Sequence, residues 1–284
     1  MINVTKTYIP DIDKYKSYID QIFASGWLTN NGILTQQLES RLTQYLGVKN
    51  LLLVSNGTIA LQICYKLLGL KDDVITTPFS FVATVSSLCW EGLNPVFVDI
   101  DPETYNIDVE KIESSITSKT TAIVAVHVFG NPCDVEKIEQ IAKKYNLKII
   151  YDGAHAFGVN YKNKSVLNYG DLTTLSFHST KVFHTIEGGA IIINNDQLYK
   201  KAKLMINFGI PAPDQVLCLG INAKMNEFQA AMGLCVLDDI EKIYHSRKKV
   251  FYFYLNYLND ISLIKFQLID QQSSNNYGYF PILL

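Results

Sequence analysis

Apolar residues follow two rhythms along this chain. The first is the short run bounded by turn residues: Leu51 to Ser55, Val74 to Pro78, Asn94 to Asp101, Thr121 to Val128, Ile149 to Asp152, Thr174 to His178 and Ala190 to Ile193. Runs of this kind predict strands buried on both faces. The second is helical spacing, over Asp11 to Ser25, Gln36 to Leu46, Ile59 to Leu68, Phe79 to Trp90, Val109 to Ser115, Val135 to Tyr145 and Asp196 to Asn207. A long apolar helix begins at Phe228 and continues from Tyr244 through the aromatic stretch Phe251 to Leu255. Loops rich in Gly, Asn and Pro separate these segments at Gly26 to Gly32 and Phe208 to Leu219. The last stretch, Pro281 to Leu284, reads as an apolar strand without a visible partner.

Strands alternating with helices of this length imply an α/β protein with a mostly parallel sheet, covered on both faces and joined by right-handed crossovers. Ligands of such sheets lie beyond the C-terminal strand ends. Composition agrees: 284 residues, 48% hydrophobic and 18% charged, suffice for a large core and exceed one minimal domain. A net charge of -2 without Lys/Arg blocks argues against nucleic acid or an anionic membrane as partner. The five cysteines are scattered, odd in number and mostly set in apolar runs, so they read as reduced core residues. That usage, with no apolar signal region at the N-terminus and no run long enough for a membrane span, predicts a cytoplasmic protein. No metal is expected. Gly-x-Gly-x-x-Gly and Walker signatures are absent, which weakens nicotinamide and nucleotide-hydrolase readings.

The candidate chemistry concentrates between Tyr151 and Gly189. Asp152 and His155 follow one buried strand, and Lys181 lies in the loop between two others. Burial disfavours an ammonium group, so a lysine there is costly unless paired or chemically used. An amine on a flexible stem is what an imine-forming nucleophile needs. Pyridoxal phosphate (PLP) requires such a lysine, and an acid that keeps its pyridine nitrogen protonated. Asp152 and Lys181 supply that pair. Upstream, Asn56-Gly57-Thr58 turns a strand into a helix, where free N–H groups and the helix dipole suit a phosphate. The blander alternatives are a solvated loop lysine, a capping aspartate and an ordinary turn.

Asp-Gly-Ala-His at 152–155, Ser-Phe-His-Ser-Thr-Lys at 176–181 and Glu-Gly-Gly at 187–189 together resemble the DegT/DnrJ/EryC1/StrS family of nucleotide-sugar aminotransferases. The resemblance implies the PLP-dependent aminotransferase fold type I, an α/β/α sandwich on a mostly parallel seven-stranded sheet. It implies a large PLP-binding domain over residues 1–240 and, over 241–284, the start of a smaller C-terminal domain. Since this chain reaches only about the first three-quarters of a typical member, that second domain is expected to be shortened. The resemblance also assigns roles. Lys181 carries the cofactor and shuttles the proton; Asp152 pairs with the pyridinium nitrogen; His155 lies near the ring and its phenolic oxygen. Gly57, Thr58 and Ser176 hold the phosphate, and Phe81 covers the ring. Asn222, in a segment resembling the family's Gly-x-Asn-Tyr-Arg-Met element, reaches the partner's phosphate across a homodimer, although Ala223 and Lys224 depart from that pattern. The tripeptide before the lysine resembles the branch acting at the sugar C4 position. The expected substrates are therefore a nucleotide-linked keto-6-deoxyhexose, dTDP-4-dehydro-6-deoxy-D-glucose, and L-glutamate, in synthesis of surface polysaccharide such as O-antigen. Alternatives are a C3-specific sugar aminotransferase and a non-catalytic or regulatory homologue.

Overall fold

The computed structural model describes residues 5–284. The chain opens with α1 (Ile12–Ser25) and α2 (Ile33–Leu46), then enters the alternation with β1 (Leu51–Val54), α3 (Gly57–Leu68), β2 (Asp73–Thr76), α4 (Val82–Trp90) and β3 (Asn94–Phe97). The short α5 (Val109–Ile112), β4 (Thr120–Val126), α6 (Val135–Tyr145) and β5 (Lys148–Asp152) follow, with a hairpin of β6 (Asn160–Tyr161) and β7 (Lys164–Ser165). β8 (Leu172–Ser176), β9 (Gly189–Ile193) and α7 (Asp196–Met205) complete the sheet region, before α8 (Glu227–Asp238), α9 (Ile240–Leu258), β10 (Lys265–Phe266) and β11 (Ile282–Leu283).

Seven strands form one sheet in the order β1-β9-β8-β5-β4-β2-β3. The four ladders among β8, β5, β4, β2 and β3 are parallel, whereas β9 runs antiparallel to both of its neighbours. Successive side chains of a strand point to opposite faces, and here both faces are buried. Leu51 and Leu53 enter a core formed with α2, α6 and α8; Leu52 and Val54 enter a second formed with α3, α4 and α7. On α2, Leu34, Leu38, Leu42 and Leu46 make an i, i+4 stripe against the first core. Leu38 and Leu42 are wholly buried, worth about 1.5–3 kcal/mol each in surface removed from water. The layered α/β architecture anticipated from the pattern is therefore the one observed, as is the mostly parallel seven-stranded sheet. No helix among the described residues is long and apolar enough to cross a membrane.

Three details differ from expectation. The helix anticipated over Val109 to Ser115 is α-helical only to Ile112 and tightens into a 3-10 turn over Glu113–Ser115. The apolar helix beginning at Phe228 is two helices, broken at Asp239 (φ -98°, ψ 5°). Finally, the terminal strand has a partner: Ile282 and Leu283 pair with Phe266 and Lys265 in a two-stranded antiparallel ladder. Two residues are too short a run to be legible in a sequence.

Candidate active site

β1, β8, β5, β4 and β2 point the same way, so their C-terminal ends share one edge of the sheet. Just beyond it lies a cavity of about 600 Å³, a size suited to a small organic ligand. Its walls come from the starts of α3 and α4, the ends of β5 and β8, the loop between β8 and β9, and the C-terminal segment.

At one end of the cavity, Asn56 caps α3, its Oδ1 accepting from the Ile59 N–H at 2.9 Å. The preceding N–H groups of Gly57 and Thr58 have no acceptor among the described residues and sit at the positive end of the helix dipole, on the cavity wall. Ser176 faces them from the end of β8. A Cβ at Gly57 would stand 2.9 Å from the Ser176 Cβ, so the helix start and the strand end approach this closely only with glycine at 57.

Asp152, which also lines the cavity, is buried, with 7% of the residue exposed. Its Oδ1 accepts from the Ala154 N–H at 3.0 Å, and its Oδ2 from the Thr84 hydroxyl at 2.8 Å. Each oxygen keeps lone-pair capacity for a ligand. His155 Nδ1 accepts from the Phe129 N–H at 3.2 Å, which leaves the ring hydrogen of the neutral imidazole on Nε2. Burial, with the nearby Lys181 charge as a smaller cause, pushes the His155 pKa down to about 3. Its ring lies parallel to that of Phe129 at 5.9 Å and tilted against Tyr279 at 4.4 Å. Phe129 makes its contact from a left-handed backbone (φ 56°), a conformation uncommon for a side chain of that size and the sort of strain that collects at functional sites.

Lys181 projects from the β8–β9 loop. Phe177 and Phe183, on either side of it, are wholly buried, meet edge to face at 4.8 Å and both pack on Phe157. Backbone bonds from Phe177 N–H to the Gly188 carbonyl and from Thr185 N–H to the Phe177 carbonyl close the loop at its base. The lysine thus stands on a rigid arch. Its Nζ donates to the Tyr279 hydroxyl at 3.1 Å and lies 5.8 Å from the centre of that ring.

Of the residues singled out in the sequence, Gly57, Thr58, Phe81, Asp152, His155, Ser176 and Lys181 all line this cavity. Phe81 is 72% exposed at the rim, so it is not a core residue. Asn222 is elsewhere: it is exposed, its Oδ1 accepts from Lys224 Nζ at 2.8 Å, and it does not line the cavity. Nor does it cap α8, where Asn226 forms a capping box with Gln229. Tyr279 and Thr84 carried no signal in the sequence, and Phe129 only its place at the same mouth.

The residues suit PLP on chemical grounds: uncommitted helix amides for a phosphate, a buried carboxylate with spare lone pairs for a pyridinium, and a lysine amine on the same cavity. The sequence profile of the DegT/DnrJ/EryC1/StrS aminotransferase family matches residues 11–284. The chain belongs to this aminotransferase family. It is 47% identical, over 100% of its own length and 77% of the relative's, to the dTDP-4-amino-4,6-dideoxy-D-glucose transaminase of Shigella dysenteriae. It is 43% identical to the Escherichia coli enzyme of the same name, over 100% of this chain and 76% of that one. Among solved structures, DesI in the presence of its TDP-sugar product superposes with a TM-score of 0.94 at 32% identity, covering 99% of this aminotransferase and 72% of DesI. The fold is that of the PLP-dependent aminotransferases.

Proposed function

We propose that this enzyme transfers an amino group from L-glutamate to C4 of dTDP-4-dehydro-6-deoxy-D-glucose, using PLP, in synthesis of a surface polysaccharide such as O-antigen. The single observation that carries the reading is the convergence of Lys181 and Asp152 on one cavity in a chain so similar to two C4 sugar transaminases. When bound, PLP supplies an aldehyde that captures amines and a ring that accepts the electron pair left at carbon. The amides of Gly57 and Thr58 and the Ser176 hydroxyl would hold the phosphate. Asp152 would accept a hydrogen bond from the pyridinium nitrogen, Phe81 would cover the ring, and His155 would lie near it with Nε2 as its donor. Lys181 Nζ would anchor the cofactor and is the group that would hold and return a proton beside it. The rigid arch under Lys181 keeps that amine in reach throughout. The large domain is residues 1–240. Asn222, which does not line the cavity of its own subunit, would serve a partner's phosphate in a homodimer. Five unpaired cysteines are in keeping with a cytoplasmic enzyme.

Visible absorption tests this directly. The purified protein mixed with PLP should develop a yellow band, L-glutamate should bleach it, and Lys181→Ala should show neither change. Adding dTDP-4-dehydro-6-deoxy-D-glucose to the bleached protein should restore the band and release the C4 amine. No band in the wild-type protein would overturn the cofactor assignment; a band that the keto-sugar cannot restore would overturn the substrate.

A further inference from the structure

The Thr84 hydroxyl that donates to Asp152 belongs to a longer chain. Thr84 lies in the first turn of α4 and is wholly buried. Its backbone is held on both sides: its N–H donates to the Phe81 carbonyl at 3.2 Å, and its carbonyl accepts from Ser87 Oγ at 3.1 Å. A threonine hydroxyl has one hydrogen, and an ionised carboxylate can only accept. The hydrogen of Thr84 therefore goes to Asp152, and the 2.6 Å contact between Ser80 Oγ and Thr84 Oγ1 must run from Ser80 to Thr84. Ser80 lines the cavity at the other end of this chain. Hydrogen bonds in series with one sense strengthen one another in a low-dielectric interior.

We propose that Thr84, backed by Ser80, is a positioning residue that fixes the Asp152 carboxylate as the charged acceptor for the pyridine nitrogen of the cofactor; this rests on the assignment of Asp152 under the proposed function. The Ala154 N–H holds only Oδ1. Rotation about χ2 of an aspartate is soft, and without a donor on Oδ2 nothing else among the described residues keeps the free lone pairs aimed into the cavity. Thr84 does not reach the cavity itself and acts through Asp152.

The experiment compares Thr84→Val, Thr84→Ser and Asp152→Asn with wild type, reading two quantities: the dissociation constant of PLP, and the chemical shift of nitrogen-15-labelled PLP at its pyridine nitrogen. Thr84→Val keeps the shape and removes the donor; Thr84→Ser does the reverse. Positioning requires Thr84→Val to move the resonance toward the unprotonated pyridine and to raise the dissociation constant about tenfold, the worth of a hydrogen bond to a charged group. Thr84→Ser should stay near wild type on both. A role in packing alone demands the opposite order, with valine tolerated and serine impaired, and that order would overturn the proposal. If Thr84→Val fails to fold, Ser80→Ala reads the same chain, with a smaller shift in the same direction supporting it and an unchanged resonance sinking it. A resonance that moves in Asp152→Asn but not in Thr84→Val rejects the role of Thr84 alone. One that moves in neither rejects the assignment of Asp152, and this proposal with it.

Discussion

His127 and His155 are both held neutral by burial, each with a pKa pushed from 6.5 down to about 3. The sign of the consequence follows from proton counting. Above about pH 6.5 neither residue is charged, folded or unfolded, and neither affects stability. Between about 6.5 and 3 the unfolded chain binds protons that the folded chain refuses, so stability falls as pH falls, by ~1.4 kcal/mol per pH unit for each histidine. Below about 3 the effect levels off. His127 is the cleaner probe, since it lies outside the cavity, wholly buried and stacked on Tyr151, with its Nδ1 accepting from the Cys133 N–H at 3.1 Å. In urea titrations of the protein without PLP between pH 7 and 4, His127→Gln should flatten the slope of stability against pH by about one proton. An unchanged slope would mean that His127 titrates in the folded state. At this scale the site was readable where chemistry sits at the end of a buried run: Asp152 closes one such run and Lys181 lies between two. Tyr279 was not, because its contact with Lys181 spans 98 residues and no local pattern encodes a meeting at that separation.

Helix α2 starts without a capping side chain of its own, since its N-cap is Gly32. A carboxylate from another helix does the work. Glu227, first residue of α8 and 2% exposed, accepts from the Leu34 N–H at 2.7 Å and the Thr35 N–H at 3.0 Å, and also from the Thr35 hydroxyl. A negative charge at a helix start is favoured by the dipole, and two orphan N–H groups are satisfied at once. The same residue ties its own N–H to the Leu28 carbonyl, so the loop before α2 is held as well. Glu227→Ala should cost about 3 kcal/mol, because it strands buried donors. Glu227→Gln, which keeps one acceptor, should cost less; denaturant midpoints with unchanged slopes would establish the order. Sequence periodicity located α2 and the strands because each buries a regular stripe or run. It could not see the break at Asp239, where apolar residues continue on both sides, nor a capping partner nearly two hundred residues away.

Across the whole molecule, the C-terminal segment is stitched to the cavity by one buried amide. Asn276, 3% exposed, donates to the carbonyls of His155 and Phe157 at 2.8 and 3.0 Å and accepts from the Gly278 N–H at 3.0 Å. The turn so formed delivers Tyr279 to Lys181. Asn276→Ala should lower stability by about 2–3 kcal/mol and speed hydrogen exchange at Tyr277 to Tyr279 while leaving β5 protected. Exchange unchanged in the segment would show that other contacts hold it.

The reversed strand β9 also sets a clock. β1, the apolar Leu-Leu-Leu-Val, has β9 as its sole neighbour in the sheet among the described residues, with Leu51 opposite Ile192. As the chain leaves the ribosome, β2 and β3 can pair at once, and β4, β5 and β8 can add in turn. β1 emerges before all of them and has no ladder to join until residue 192 is made. At ordinary synthesis speeds that interval is on the order of ten seconds. The strand that leads into the proposed phosphate cradle is thus the first to be made and waits longest for a ladder partner, which leaves its backbone edge open to aggregation or chaperone capture at Leu51 to Val54 in the newborn chain.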